Sequence, residues 1–153
     1  MPKKVDVLLI TLTSPILVGI YEDNKLIETI KSDEKSSDVL PLIFQDLLKK
    51  YDIQNLFYAN GPGSFMAIKV AYIFLKSLSV LKKIPLYARD AFYFNENQPI
   101  KAIGKLCFVK IASKIETQKF ETVPKTEFKL PDELDYNEFS TNATPLYEIG
   151  AVG

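Results

Sequence analysis

The chain has 153 residues, enough for one compact domain or two small subdomains. Nineteen Lys and Arg balance nineteen Asp and Glu, so no global charge argues for tight nucleic-acid binding. His is absent and Cys107 is the single cysteine, which excludes Ser-His-Asp and Cys-His catalysis, His-containing zinc sites and an internal disulfide.

Apolar residues make up 47% and charged residues 25%, the balance of a globular domain with a real core. The N-terminal "MPKKVDVLLITLT" has two lysines before an apolar run, loosely like a leader. Asp6 interrupts it, it alternates like a strand and it lacks a small-residue cleavage site. No window has the apolar length of a membrane span. The expectation is a reduced, cytoplasmic protein that does not engage a membrane.

Val5 to Thr11, Ile16 to Tyr21 and Lys25 to Lys31 read as three strands, with Asp23-Asn24 as a turn, in an antiparallel meander. The polar "KSDEKSSD" breaks the pattern. In "SSDVLPLIFQDLLKKY", Leu40, Ile43, Phe44, Leu47, Leu48 and Tyr51 share one helical face. Ser36 or Ser37 is the expected cap. Pro41 falls in the first turn, where its missing N–H costs little, and Lys49 and Lys50 suit the C-terminal dipole. "NLFYAN", 55–60, reads as a short strand. A glycine turn follows, then a helix over 64–82 and a short strand in "PLYA".

The C-terminal third reads more weakly. Ile100 to Ile103, Leu106 to Ile111 and Lys114 to Val123 have strand character. Cys107, inside "KLCFVKI", reads as a buried strand thiol. Beyond Val123 the chain turns polar and proline-broken, a loop-rich tail with at most one short helix near "PDELDYNEF". The fold class is therefore α/β, with β-β-β-α-β-α order over 1–90 and a reduced unit over 91–153.

The stretch "NGPGSFMAIKVA", 60–71, combines a glycine turn with a helix start. Free N–H groups there can gather an anion, with Ser64 adding a hydroxyl. Gly61, Pro62, Gly63, Ser64 and Lys69 are the candidate residues. The pattern is neither a Walker loop nor a dinucleotide fingerprint, and a purely structural turn is the simpler reading. The helix after it carries apolar residues on nearly all sides. A core helix and an interface helix both fit that pattern.

Residues 60–71 resemble the G-R-G-P-G-S-F-T-G-[LVI]-R-[IV]-G signature of the bacterial TsaB (YeaZ) family. "VDVLLITLTSPILVGIYEDNKLIETI" is similar to that family's opening, I-L-A-I-D-T-S-T…S-V-A-L…D-G-K-L, and "PLYEIG", 145–150, to its P-x-Y-L-R stretch. The resemblance covers 5–90 well and little beyond. It implies an actin/Hsp70-like fold of RNase H-like lobes, here with a shortened second lobe. It also implies a role in threonylcarbamoyladenosine (t6A) formation at position 37 of tRNA. The family member is a non-catalytic partner of TsaD, with TsaE in a ternary complex and tRNA engaged only indirectly.

The resemblance implies pairing through the helices at 37–51 and 64–82. The candidate interface is Leu40, Ile43, Phe44, Leu47, Ile68, Tyr72, Phe74, Leu75 and Leu78, and the same helices could pair two copies. The family's strand-one Asp-Thr falls on Thr11-Leu12, its Thr-Gly on Met66-Ala67 and its Arg on Lys69. Thr11 cannot hold a divalent cation as a carboxylate does, and an ammonium does not reproduce a guanidinium fork. No catalytic residue, metal or cofactor is expected. The alternative is weak ATP or ADP binding, or ATPase action, at Gly61–Ser64. On the partner reading there is no intrinsic ATPase, and Leu75→Glu or Phe74→Glu abolishes partner binding with the fold intact.

Overall fold

The computed structural model describes residues 1–146. Of the stretch 145–150, residues 147–150 therefore lie outside the described residues. Five strands form one mixed sheet: β1 (Lys3–Ile10), β2 (Ile16–Glu22), β3 (Lys25–Ser32), β4 (Tyr51–Ala59) and β5 (Leu86–Arg89). Helix α1 (Ser36–Lys50) joins β3 to β4, and α2 (Phe65–Lys82) joins β4 to β5. The spatial order is β3-β2-β1-β4-β5.

β1 pairs antiparallel with β2, and β2 with β3, through a turn in which Asp23 and Asn24 both have positive φ. Two central residues at positive φ match the strand twist of a tight hairpin, which is why Asp and Asn stand there. β1–β4 and β4–β5 are parallel, so each needs a crossover, and the two helices provide them.

The C-terminal halves of β1 and β4 are buried on both faces, which explains the apolar runs Val7–Ile10 and Leu56–Ala59. One face carries Val5, Val7, Leu9, Val18 and Ile20 against Leu40, Phe44 and Leu47 of α1 and Ala71 and Leu75 of α2. The opposite face carries Leu8, Ile10, Leu17, Tyr21 and Phe57. It is covered by Phe92, Phe94, Ile100, Phe108, Leu130 and Leu134. Residues 91–146 thus share a core with the first sheet rather than enclosing one of their own. They comprise a 3-10 turn at Ala91–Phe94 and a three-stranded antiparallel sheet, β6 (Ile100–Lys101), β7 (Leu106–Ile111) and β8 (Lys114–Lys119).

The polar tail is a strap that crosses this second face. Leu26 N donates to Asp132 O (2.9 Å) and Leu134 N to Asn24 O (2.8 Å), fixing it at the hairpin turn. Further along, Ser140 and Ala88 exchange two backbone hydrogen bonds (2.8 and 3.0 Å), which pins it to β5. Beside the first of these anchors the Tyr21 hydroxyl donates to Pro131 O (2.6 Å). The short helix expected in this segment is a 3-10 turn, Tyr136–Glu138.

Several boundaries differ from the sequence expectation. β4 begins at Tyr51, immediately after α1, because the chain becomes extended at that residue (φ −128°, ψ 158°) with no loop between. Neither Ser36 nor Ser37 caps α1; Lys35 stands at the cap, and its carbonyl accepts from Asp38 N and Val39 N (both 3.0 Å). β8 ends at Lys119, before the tail begins, and β6 has only two residues. Among the described residues no helix is long and apolar enough to cross a membrane.

Candidate functional site

The glycine turn leads from the end of β4 into α2. Gly61 has φ +114°, and a Cβ there would lie 2.9 Å from Ile68 Cδ1, so both the backbone and the packing demand glycine. Its carbonyl accepts from Ala91 N at 2.7 Å, which ties the turn to the exit of β5. Gly63 lies against Leu12, where a Cβ would meet two side-chain carbons at 3.3 Å. Ser64 is the N-cap of α2, its Oγ accepting from Ala67 N at 3.4 Å. Thr11, at the end of β1, donates to Ala67 O at 3.4 Å.

A cavity of about 630 Å³ opens beside this turn. Gly63, Ser64 and Leu12 meet Ile100, Phe108 and Lys125 of the second sheet and the strap across it. Gly61 and Pro62 are buried in the fold behind. Lys69 does not line the cavity and stands exposed on α2. The five residues grouped from the sequence as one anion site are thus divided between a buried turn, a cavity wall and an outer helix face.

Nothing near the turn activates a nucleophile. The Ser64 hydroxyl serves as a cap, and among the described residues it has no hydrogen bond to a basic or acidic side chain. Cys107 is fully buried in β7, and burial pushes its thiol up, away from the reactive thiolate. Among the described residues no three His, Cys, Asp or Glu are grouped to hold a metal ion.

The ionisable groups are used structurally instead. Asp6, buried in β1, accepts from Asn55 Nδ2 (2.8 Å) and from the Tyr136 hydroxyl. Lys110 Nζ lies 2.7 Å from Asp90 Oδ2, while the Asp90 Oδ1 atom accepts from Phe92 N and starts the 3-10 turn. Glu28 of β3 accepts from the Tyr51 hydroxyl (2.6 Å) and Lys50 Nζ (3.2 Å). The Tyr51 bond, with Lys50 second, holds the Glu28 carboxyl below its usual range.

The candidate interface residues separate into two groups. Leu40, Phe44, Leu47 and Leu75 are core side chains on the helix-covered face of the sheet, and Ile68 is buried in the core of the opposite face. Ile43, Tyr72, Phe74 and Leu78 are half-buried and pack on the helix-covered core. Phe74 meets Phe44 edge-on, ring centroids 5.2 Å apart, which locks the helices together. Leu75→Glu would therefore bury a carboxylate in the core and disrupt the fold. That corrects the expectation that it removes only partner binding.

Only Ile68, Ala71 and Leu75 of α2 are fully buried. Apart from Phe65, which stands at the start of the helix beside the cavity, the exposed large apolar residues lie on its opposite side: Met66 (62% exposed), Ile73 (53%), Val80 (65%) and Leu81 (79%). On α1 the exposed apolar residue is Leu42. Selection by hydrophobicity alone missed these. The signal that finds them is subtraction: once 68, 71 and 75 define the core stripe, residues half a turn away cannot belong to it.

No protein-family model matches the chain. No curated protein matches it either. Solved structures do. The chain resembles YeaZ from Pseudomonas aeruginosa with a TM-score of 0.58 at 15% identity, over 84% of this chain and 70% of that one. A second structure is described as an uncharacterized protein with similarity to peptidase YeaZ from the same organism. It matches with a TM-score of 0.58 at 15% identity, over 80% of this chain and 69% of that one. The chain has the YeaZ-like fold.

Proposed function

We propose that this chain is a TsaB-type partner subunit. It binds TsaD through the outer faces of α1 and α2 and so supports threonylcarbamoyl transfer to adenosine 37 of tRNA. The observation that carries the reading is an apolar α2 that keeps one side uncovered, within the fold it shares with YeaZ. The sequence likeness of the Gly61–Phe65 turn to the family signature supports the same assignment. The lobe in this reading is RNase H-like, of the actin/Hsp70 kind, which the strand order β3-β2-β1-β4-β5 supports.

The subunit contributes binding rather than chemistry. Thr11 occupies the place of the superfamily's metal-handling carboxylate and is engaged with the α2 backbone. Peptidase action, the word attached to one structural relative, would need an activated nucleophile or metal-bound water. Ser64 has neither a basic neighbour nor a free cap. ATP or ADP binding at the turn is not favoured, since Lys69 lies off the cavity. TsaE joins the pair in this reading, and tRNA contacts the complex chiefly through the partner. The site of action is the cytoplasm, with the tRNA substrate. A homodimer through the same helices would compete with TsaD. The test is a mixture of the purified chain with TsaD of the same organism. Co-elution as a new species supports the assignment, and separate elution of two folded proteins removes it.

A further inference from the structure

The uncovered side of α2 has a definite spacing. Met66, Val70, Ile73, Ser77 and Val80 follow one another at intervals of four, three, four and three. That is the seam of a heptad helix, one that meets a second helix along its length at a shallow angle. The seam lies opposite Ile68, Ala71 and Leu75, the residues through which α2 sits on the sheet. From Met66 to Val80 it runs for about 21 Å at 1.5 Å per residue.

The flanks of the seam differ. On the side toward α1 stand Ala67, Phe74 and Leu81, with Phe74 packed on Phe44. On the other side, each one residue before a seam position, stand Lys69 and Lys76. Both lysines are exposed, and among the described residues neither makes an ion pair. α2 has no Asp or Glu.

We infer that the occupant of this face is an amphipathic helix with carboxylates beside its apolar seam, aligned on Lys69 and Lys76. The inference rests on the reading of α2 as a partner surface and names the chemistry of that partner. A second copy of this chain complements the face less well. Antiparallel pairing of two α2 helices sets lysine row against lysine row, and parallel pairing sets lysines against Ala67, Phe74 and Leu81. α1 offers only Leu42 as an exposed apolar side chain, which does not make a seam. A bilayer fits less well than a helix, because the α2 cations lie on one flank only while α1 exposes Asp38 and Asp46 as well as Lys49 and Lys50 on the other side.

The test uses two stapled helical peptides with the same heptad seam, one with Glu and one with Lys at the flanking positions. Each is titrated against the full chain by fluorescence anisotropy, at low and high salt. The Glu peptide binds at least about ten-fold more tightly at low salt, from two pairings that change from attraction to repulsion. The gap narrows as salt screens the exposed charges. The Lys69→Glu/Lys76→Glu variant reverses the preference, and Ile73→Glu, at an exposed position, binds neither peptide while retaining its circular dichroism. Equal binding of both peptides, binding of neither, or a preference unchanged by the double charge reversal overturns the inference. A dimer in light scattering that Ile73→Glu dissociates would overturn it in favour of a second copy. Sedimentation with phosphatidylglycerol vesicles, lost in Ile73→Glu, would overturn it in favour of a membrane. The peptides test the surface chemistry without TsaD, so a failure here is distinct from a failure of the TsaD mixture.

Discussion

The Tyr136 hydroxyl donates to the Asp6 carboxylate, joining the strap to the first strand across 130 positions of sequence. Asp6 is buried, and Asn55 Nδ2 is its other partner. Burial, then the bond to Asp6, pushes the Tyr136 phenol well above its usual range, so it remains a donor at every working pH. Tyr136→Phe leaves a buried carboxylate one donor short. We expect a loss of about 1–3 kcal/mol in urea unfolding. The same variant should be cut faster by protease within the strap. Unchanged stability and cutting would mean that the strap is held by its backbone bonds alone.

Gly61 and Gly104 form a matched pair for testing the turn. Both have positive φ, but a Cβ at Gly104 meets nothing within 4 Å whereas one at Gly61 meets Ile68. Gly104→Ala should cost about 1 kcal/mol from backbone strain alone. Gly61→Ala should cost more, by the added clash in the core. Thermal unfolding of the two variants measures the difference, and equal losses would contradict the packing role of the turn.

α2 offers an internal comparison of its two sides. Leu75→Ala should destabilise by about 2–5 kcal/mol, the range for emptying a core leucine site. Ile73→Ala, at a half-exposed position two residues earlier, should stay within about 0.5 kcal/mol. Denaturant midpoints at a common m-value check both. A large loss for Ile73→Ala would mean that its face is already covered within the chain.

Acid should weaken the join between β3 and α1. The Tyr51 hydroxyl, then Lys50, hold Glu28 below its ordinary 4.5, so its folded state prefers the charged form. The stabilisation is therefore full above 4.5 and is lost as pH falls through the folded value. The Glu28 side chain is about a third exposed (34%), so solvent keeps the contribution under about 1 kcal/mol. Glu28→Gln should be slightly less stable than the parent at pH 7 and converge with it as the pH falls below 4.5 and through the folded value. Parallel stability curves over that range would show that Glu28 does not titrate against Tyr51.

Periodicity made the central sheet and its two crossover helices legible, because each apolar set faces one neighbour. The alternation from Lys25 to Ser32 and the stripe through Leu40, Phe44 and Leu47 are local signals with one interpretation. α2 was less legible for the opposite reason. With apolar residues all round, hydrophobicity alone does not say that Leu75 faces the sheet and Ile73 does not. The start of β4 was hidden because Tyr51 also completes the stripe of α1. The strap was invisible as structure, since its anchors at Asn24, Leu26 and Ala88 are backbone groups that no residue type announces. The glycine turn was found by its residues. The separation of Lys69 from the cavity needed the helix to be oriented in space.

The central claim is that the outer face of α2 receives TsaD, and the most direct measurement is size-exclusion chromatography with light scattering. The chain, TsaD of the same organism and their mixture are run separately, with the Ile73→Glu variant beside the parent. The account predicts a species of summed mass for the parent mixture and two separate proteins for the variant, with the variant's circular dichroism unchanged. Two separate, well-folded proteins for the parent, or a complex that forms equally well with Ile73→Glu, would contradict it.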